Sequence, residues 1–91
     1  MAALFQVSIT LPDRIVYGAE ASSLTVPARM GYLGVLAHHA PIIVQLKPGT
    51  ITLRDSHDKT ANFNMKANGF LEFSGNIATI MLDSLERSES V

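Results

Sequence analysis

No stretch of ten or more residues in this chain carries an apolar repeat near 3.6 residues between one breaker and the next. That excludes an amphipathic helix almost everywhere. The apolar repeat is two. Phe5, Val7, Ile9 and Leu11 alternate with Gln6, Ser8 and Thr10. Ala61, Phe63, Met65 and Ala67 alternate with Asn62, Asn64 and Lys66. Each pattern describes a strand with one buried face.

Glycine and proline punctuate these runs. Pro12-Asp13 closes the first strand. Arg14 to Tyr17 reads as a second strand closed by Gly18. Leu24 and Val26 make a third, stopped by Pro27. Ile42 to Leu46 is rich in β-branched residues and reads as a well-buried strand. Lys47-Pro48-Gly49-Thr50 has the order that suits a type II turn. Ile51 and Leu53 face inward while Thr50, Thr52 and Arg54 face outward. Asp55 to Thr60 is a polar loop tip. Asn68-Gly69 predicts a bend or bulge, because both residues tolerate the left-handed region. Phe70 to Phe73 and Ile77 to Leu82 are strands joined by the short hairpin Ser74-Gly75-Asn76. Asp83 to Val91 is polar and predicts a frayed tail. Many short strands broken in this way predict an all-β sandwich or barrel, in one domain over residues 1–91.

The densest break in the alternation is Gly31-Tyr32-Leu33-Gly34-Val35-Leu36-Ala37-His38-His39-Ala40-Pro41. It reads as a shaped corner between two strands, with Gly31, Gly34 and Pro41 setting the backbone. Tyr32 and Met30 stand beside Arg29 on this loop. They suit either a partner contact or packing back onto the sheet.

Composition narrows the function. A 91-residue chain with 47% hydrophobic residues can build a core, but only a small one that leans readily on a partner. The net charge of −1 provides no field for nucleic acid. With no cysteine there is neither a disulfide framework nor a thiolate metal site. The start Met1-Ala2-Ala3-Leu4 lacks the basic, then apolar pattern of a signal peptide. No apolar run approaches the roughly 18 residues of a spanning helix, so direct membrane insertion is not expected.

Chemistry is sparse. His38 and His39 are neighbours, and on an extended segment they point to opposite faces. His57 lies between Asp55 and Asp58 in a polar loop. A metal-dependent hydrolase built on these three histidines is one reading; a solvated turn and a hydrogen-bonded corner histidine are the simpler one. No serine sits in a nucleophile elbow, and Gly31 to Gly34 is not followed by a phosphate-loop Lys-Ser/Thr. The carboxylates Asp13, Glu20, Asp55, Asp58, Glu72, Asp83, Glu86 and Glu89 fall in turns, at strand ends or on outward positions, so no tuned acid–base pair is expected. The residues predict no catalytic site, metal, cofactor or small-molecule substrate.

Several stretches together resemble the N-terminal domain of the ε subunit of F-type ATP synthase, called δ in mitochondria. They are Leu11-Pro12-Asp13-Arg14 leading to Tyr17-Gly18, then Gly31-x-x-Gly34-Val35-Leu36-x-x-His39-Ala40-Pro41. Leu46-Lys47-Pro48-Gly49, Gly69-Phe70-Leu71-Glu72-Phe73 and Leu82-Asp83-Ser84 complete the set. The resemblance runs from Phe5 to Arg87. It implies a flattened two-sheet β-sandwich of about ten short strands. It implies a non-catalytic central-stalk rotor subunit that links the γ subunit to the membrane c ring and helps couple proton or sodium flow to ATP synthesis. The location implied is peripheral, on the cytoplasmic face of the bacterial inner membrane. Arg29, Met30, Gly31 and Tyr32 match the family's c-ring contact. His39 matches a γ-facing position, with Leu11, Val44 and Ala67 as further γ candidates. Gly34, Pro41, Pro48, Gly49, Asn68 and Gly69 are the expected structural turns. Family members often carry acids where Met30 and Tyr32 stand, so a more apolar ring contact is expected here. His38 and Asn68 stand where glycine is usual. The chain stops at Val91, so the family's C-terminal helical hairpin, with its inhibitory and ATP-binding capacities, is not expected. The alternative reading is a β-sandwich interaction module unrelated to the synthase.

Overall fold

The computed structural model describes residues 3–83 and 85–88. Every regular element among them is a strand: β1 (Phe5–Leu11), β2 (Arg14–Ala28), β3 (Gly31–Val35), β4 (Ile42–Leu46), β5 (Gly49–Asp55), β6 (Thr60–Met65), β7 (Gly69–Ser74), β8 (Ile77–Leu82) and β9 (Leu85–Ser88). The expected sandwich is what forms. One layer runs β2, β1, β8, β7, β4, with β1 and β8 parallel and the other pairs antiparallel. The other runs β3, β2, β5, β6, β9.

Strand β2 belongs to both layers. Its first half, Arg14 to Ala21, pairs with β1. Its second half, from Leu24, lies between β3 and β5. A register shift between Ala21 and Ser23 marks the crossing, as a bulge does when it bends a strand. The two short strands expected over 14–17 and 24–26 are therefore one strand of 15 residues. Gly18 does not end it, because it simply pairs with Ser8. Pro27 does not end it either. Its carbonyl accepts the Lys47 N–H at 2.9 Å on the side away from β3, and the missing proline N–H falls on that same side.

Three other expectations need correction. The Gly31–Val35 half of the corner is a strand, so Gly34 is a ladder residue opposite Thr25 rather than a turn. The turn lies further on, where the His39 N–H donates to the Leu36 carbonyl at 3.2 Å and His38 takes φ 66°. That is the type II arrangement. It was expected at Lys47-Pro48-Gly49, but Gly49, like Gly69 and Asn68, has no positive φ. Both glycines serve close approach instead. A Cβ on Gly49 would stand 2.7 Å from the Pro27 Cβ, and one on Gly69 would meet the Leu82 side chain and the Met81 carbonyl. Finally, Leu85–Ser88 pairs with β6, so part of the segment read as a frayed tail is a strand. Ser84 and residues 89–91 lie outside the described residues.

The core follows the alternation. Phe5, Val7 and Ile9 of β1, Ile51 and Leu53 of β5, Phe63 and Met65 of β6, and Leu71 and Phe73 of β7 are buried. Tyr17 of one layer meets Phe63 of the other edge to face, with centroids 4.8 Å apart. No buried polar side chain interrupts this core among the described residues. Burying a ring such as Phe73 contributes about 2–3 kcal/mol, while a polar group lost here would cost a similar amount.

Candidate functional site

The two outer faces of the sandwich differ. On the layer containing β5 and β6, Thr50 donates to Asn64 at 3.3 Å and Thr52 to Asn62 at 2.8 Å. These cross-strand pairs satisfy one another, as polar residues on a solvated sheet do. The opposite layer exposes Ile43, Phe70, Ile77 and Met81. Phe70 and Met81 stand directly opposite each other on β7 and β8.

Strand β4 explains part of this. It pairs fully with β7 but touches β2 only at Ala28↔Leu46. It was expected to be well buried. Instead Ile42 and Val44 are half-buried, Leu46 is buried and Ile43 is 72% exposed. A strand with one full neighbour at the border of a layer cannot cover both faces.

Next to it stands the β2–β3 hairpin. Ala28 pairs with Gly31, leaving Arg29-Met30 as a two-residue connection. Gly31 takes φ 130°, a conformation that side chains rarely adopt. Met30 is 99% exposed at the tip and Tyr32 is 61% exposed. Tyr32 packs back onto the sheet only in part. Its ring faces out, while its hydroxyl accepts the Thr50 N–H at 3.2 Å. The tip is braced further by Arg29 N–H to the Gln45 carbonyl, at 3.0 Å, and by the Arg29 guanidinium to Gln45 Oε1, at 3.1 Å.

Between the hairpin and β4 runs an apolar groove of about 450 Å³, lined mainly by Met30, Tyr32, Leu33, Ile42, Ile43 and Val44. On the other side of Arg29 and Gln45 lies a more polar hollow of about 330 Å³, reaching Lys47, Asn68 and Phe70.

The structure brings Arg29, Met30, Gly31 and Tyr32 together on one tip. It does not gather His39, Leu11, Val44 and Ala67. The His39 ring packs edge-on to Phe73 at 5.8 Å, beyond the far end of β4. Its Nδ1 donates to the Ala40 carbonyl at 2.7 Å. Leu11 lies near Asn68 and Gly69, at the opposite end of β7. Ala67 is half-buried in the β6–β7 connection. Val44 points inward and packs against the core. Pro41 and Pro48 sit exposed beside β4.

The histidines stay apart. His38 contributes its backbone N–H to Asn76 Oδ1 at 2.7 Å. His57 sits in the β5–β6 loop, where its N–H and that of Lys59 donate to Asp55 Oδ1 at 2.8 and 3.0 Å. The Lys59 N–H is the main cause holding the Asp55 carboxyl below its ordinary pKa, supported by the His57 N–H and the positive charge of both residues. Among the described residues no three His, Asp or Glu side chains meet in a way that could hold a metal ion.

Sequence reading missed Ile43, Gln45, Lys47, Phe70 and Met81. The parity of β4 contains the first two, since Leu46 inward puts Gln45 and Ile43 outward.

Residues 4–88 match the family model described as ATP synthase, Delta/Epsilon chain, beta-sandwich domain. The ATP synthase epsilon chain of Moorella thermoacetica is 40% identical over the whole of this chain and 66% of its own length. That of Latilactobacillus sakei is 41% identical over 93% of this chain and 59% of its own. The chain thus spans less than two thirds of these relatives. Among solved structures, a chain of the Euglena gracilis mitochondrial ATP synthase (OSCP/F1/c-ring) superposes with a TM-score of 0.86 at 20% identity, over 96% of this chain and 55% of that one. A chain of the Tetrahymena thermophila mitochondrial ATP synthase (central stalk/c-ring) gives 0.75 at 17% identity, over 93% and 67%. At such identities these two likenesses concern the fold.

Proposed function

The chain belongs to the delta/epsilon family of ATP synthase through its β-sandwich domain, and from that premise we propose that it is a non-catalytic part of the central stalk. In this reading it joins the γ subunit to the c ring and turns with them while proton or sodium flow drives ATP synthesis elsewhere in the complex. The observation that carries it is the braced hairpin. Met30 and Tyr32 are held outward by bonds from Arg29 and Tyr32 to β4 and β5, which suits a firm contact and no chemistry. The tip Arg29-Met30-Gly31-Tyr32 rests on the ring. The apolar outer face with Phe70, Ile77 and Met81 faces γ, with His39, Leu11 and Ala67 at its rim. Val44 acts from beneath, by packing. A permanent contact of this kind buries on the order of 2,000 Å² or more.

No helix among the described residues is long and apolar enough to cross a membrane. In this reading the chain is held at the cytoplasmic face of the bacterial inner membrane through the ring. The test is reconstitution with γ, followed by capture of the pair on purified c ring. Parent chain should complete the assembly, and Tyr32→Ala should weaken capture while γ binding persists. Equal capture of both chains, or no binding to γ, would count against the reading.

A further inference from the structure

The groove and the hollow flanking Arg29 differ in chemistry, and their common wall is the Arg29–Gln45 pair. The guanidinium can only donate, so the Gln45 oxygen must face it, and the Gln45 amide N–H groups are what remain on offer. Lys47 follows two residues further along, just past the end of β4, with its backbone N–H fixed to the Pro27 carbonyl. The hollow is lined by Arg29, Gln45, Leu46, Lys47, Asn68, Gly69 and Phe70, with no carboxylate among them. Among the described residues neither Arg29 nor Lys47 is in an ion pair. A pre-oriented guanidinium, an amide donor and a lysine lining one hollow supply the charge and donor types that a carboxylate requires. The apolar groove opens on the other side of the same wall.

We propose that the protein surface meeting the hairpin tip carries a carboxylate beside an apolar side chain, with the carboxylate seated between Arg29, Gln45 and Lys47 and the apolar group in the groove of Met30, Tyr32 and Ile43. This rests on the reading that the tip faces the c ring, so the acidic group belongs to a ring loop. It extends the contact from the hairpin to β4 and the residue after it.

Two measurements separate this inference from the reading beneath it. The first compares c-ring capture by parent chain, assembled with γ, and by the double variant Arg29→Gln, Lys47→Gln. Both residues are exposed, so the fold and γ binding should persist. Capture should weaken by about tenfold in the variant, and raised salt should weaken the parent more than the variant. Equal capture at every salt concentration overturns the inference and leaves the rotor reading intact. Absence of capture by the parent overturns the rotor reading instead. The second measurement stands without the ring. A short synthetic Leu-Glu-Leu peptide, blocked at both ends, is titrated into the labelled chain and followed by amide NMR. Shifts at Arg29, Gln45 and Lys47 should appear with it, vanish in the double variant and be absent with the Leu-Gln-Leu peptide. Equal shifts with both peptides, no shifts at millimolar peptide, or a stronger response of these amides to phosphatidylglycerol vesicles would each overturn it.

Discussion

His38 holds φ 66° with an exposed side chain, and among the described residues only its backbone N–H makes a bond. A glycine keeps that bond and removes the crowding of a Cβ in the left-handed region. His38→Gly should therefore stabilise the fold by about 0.5–1 kcal/mol after the added chain entropy, raising Tm by a few degrees in a thermal melt. The positions that need special backbone were only partly legible. The sequence shows where glycine stands but not which of its properties is used. Gly31 and Gly75 use positive φ, Gly49 and Gly69 use the missing Cβ, and the corner's own left-handed residue is a histidine. Asp55 offers a second test at this scale. Its folded pKa is depressed, so its contribution is present above the unfolded carboxylate range and disappears as pH falls through the folded value. Carboxyl NMR should place its midpoint below that of aspartate in an unstructured peptide. Asp55→Asn should flatten the acid side of the stability profile.

Strands β1, β5 and β6 were legible because one face of each is buried and the other wet. Strand β2 was not, because its glycine and proline look like stops until their neighbours are known. Its sidedness also changes where it crosses layers. The β7–β8 hairpin was expected with the connection Ser74-Gly75-Asn76; Ser74 pairs with Ile77, so the loop is Gly75-Asn76 alone, with φ 58° and 60°, the type I′ pattern. What the sequence hid is that Asn76 ties three segments. It accepts from His38 N–H, donates to the Leu4 carbonyl at 3.0 Å, and receives Gln6 N–H on its own carbonyl at 3.2 Å. Asn76→Gly keeps the turn and loses the two side-chain bonds, which should cost about 1–2 kcal/mol. Asn76→Ala adds the strain of a positive φ and should cost about 1 kcal/mol more. Denaturant melts of the two variants separate these effects, and equal costs would show that the turn conformation contributes little.

At the level of the molecule, the hairpin tip was legible because Met30 and Tyr32 are bulky apolar residues between breakers. The groove was not, because its second wall, β4, comes from a different part of the chain. Half of the proposed contact surface therefore appears only once β2 and β4 are side by side. The same arrangement predicts how the domain melts. With β2 common to both layers and, among the described residues, a core free of polar interruptions, neither layer keeps a complete set of neighbours without the other. Amide signals from β5 and from β8 should be lost at one common temperature; separate midpoints would show two independent units. A mechanical consequence follows from that shared strand. In a sandwich whose sheets touch only through side chains, a twisting load on one sheet can make it slip over the other. Here such slip would have to stretch covalent backbone at residues 21–24, so under the proposed rotor reading a twist applied at the hairpin reaches the far sheet with little lost motion.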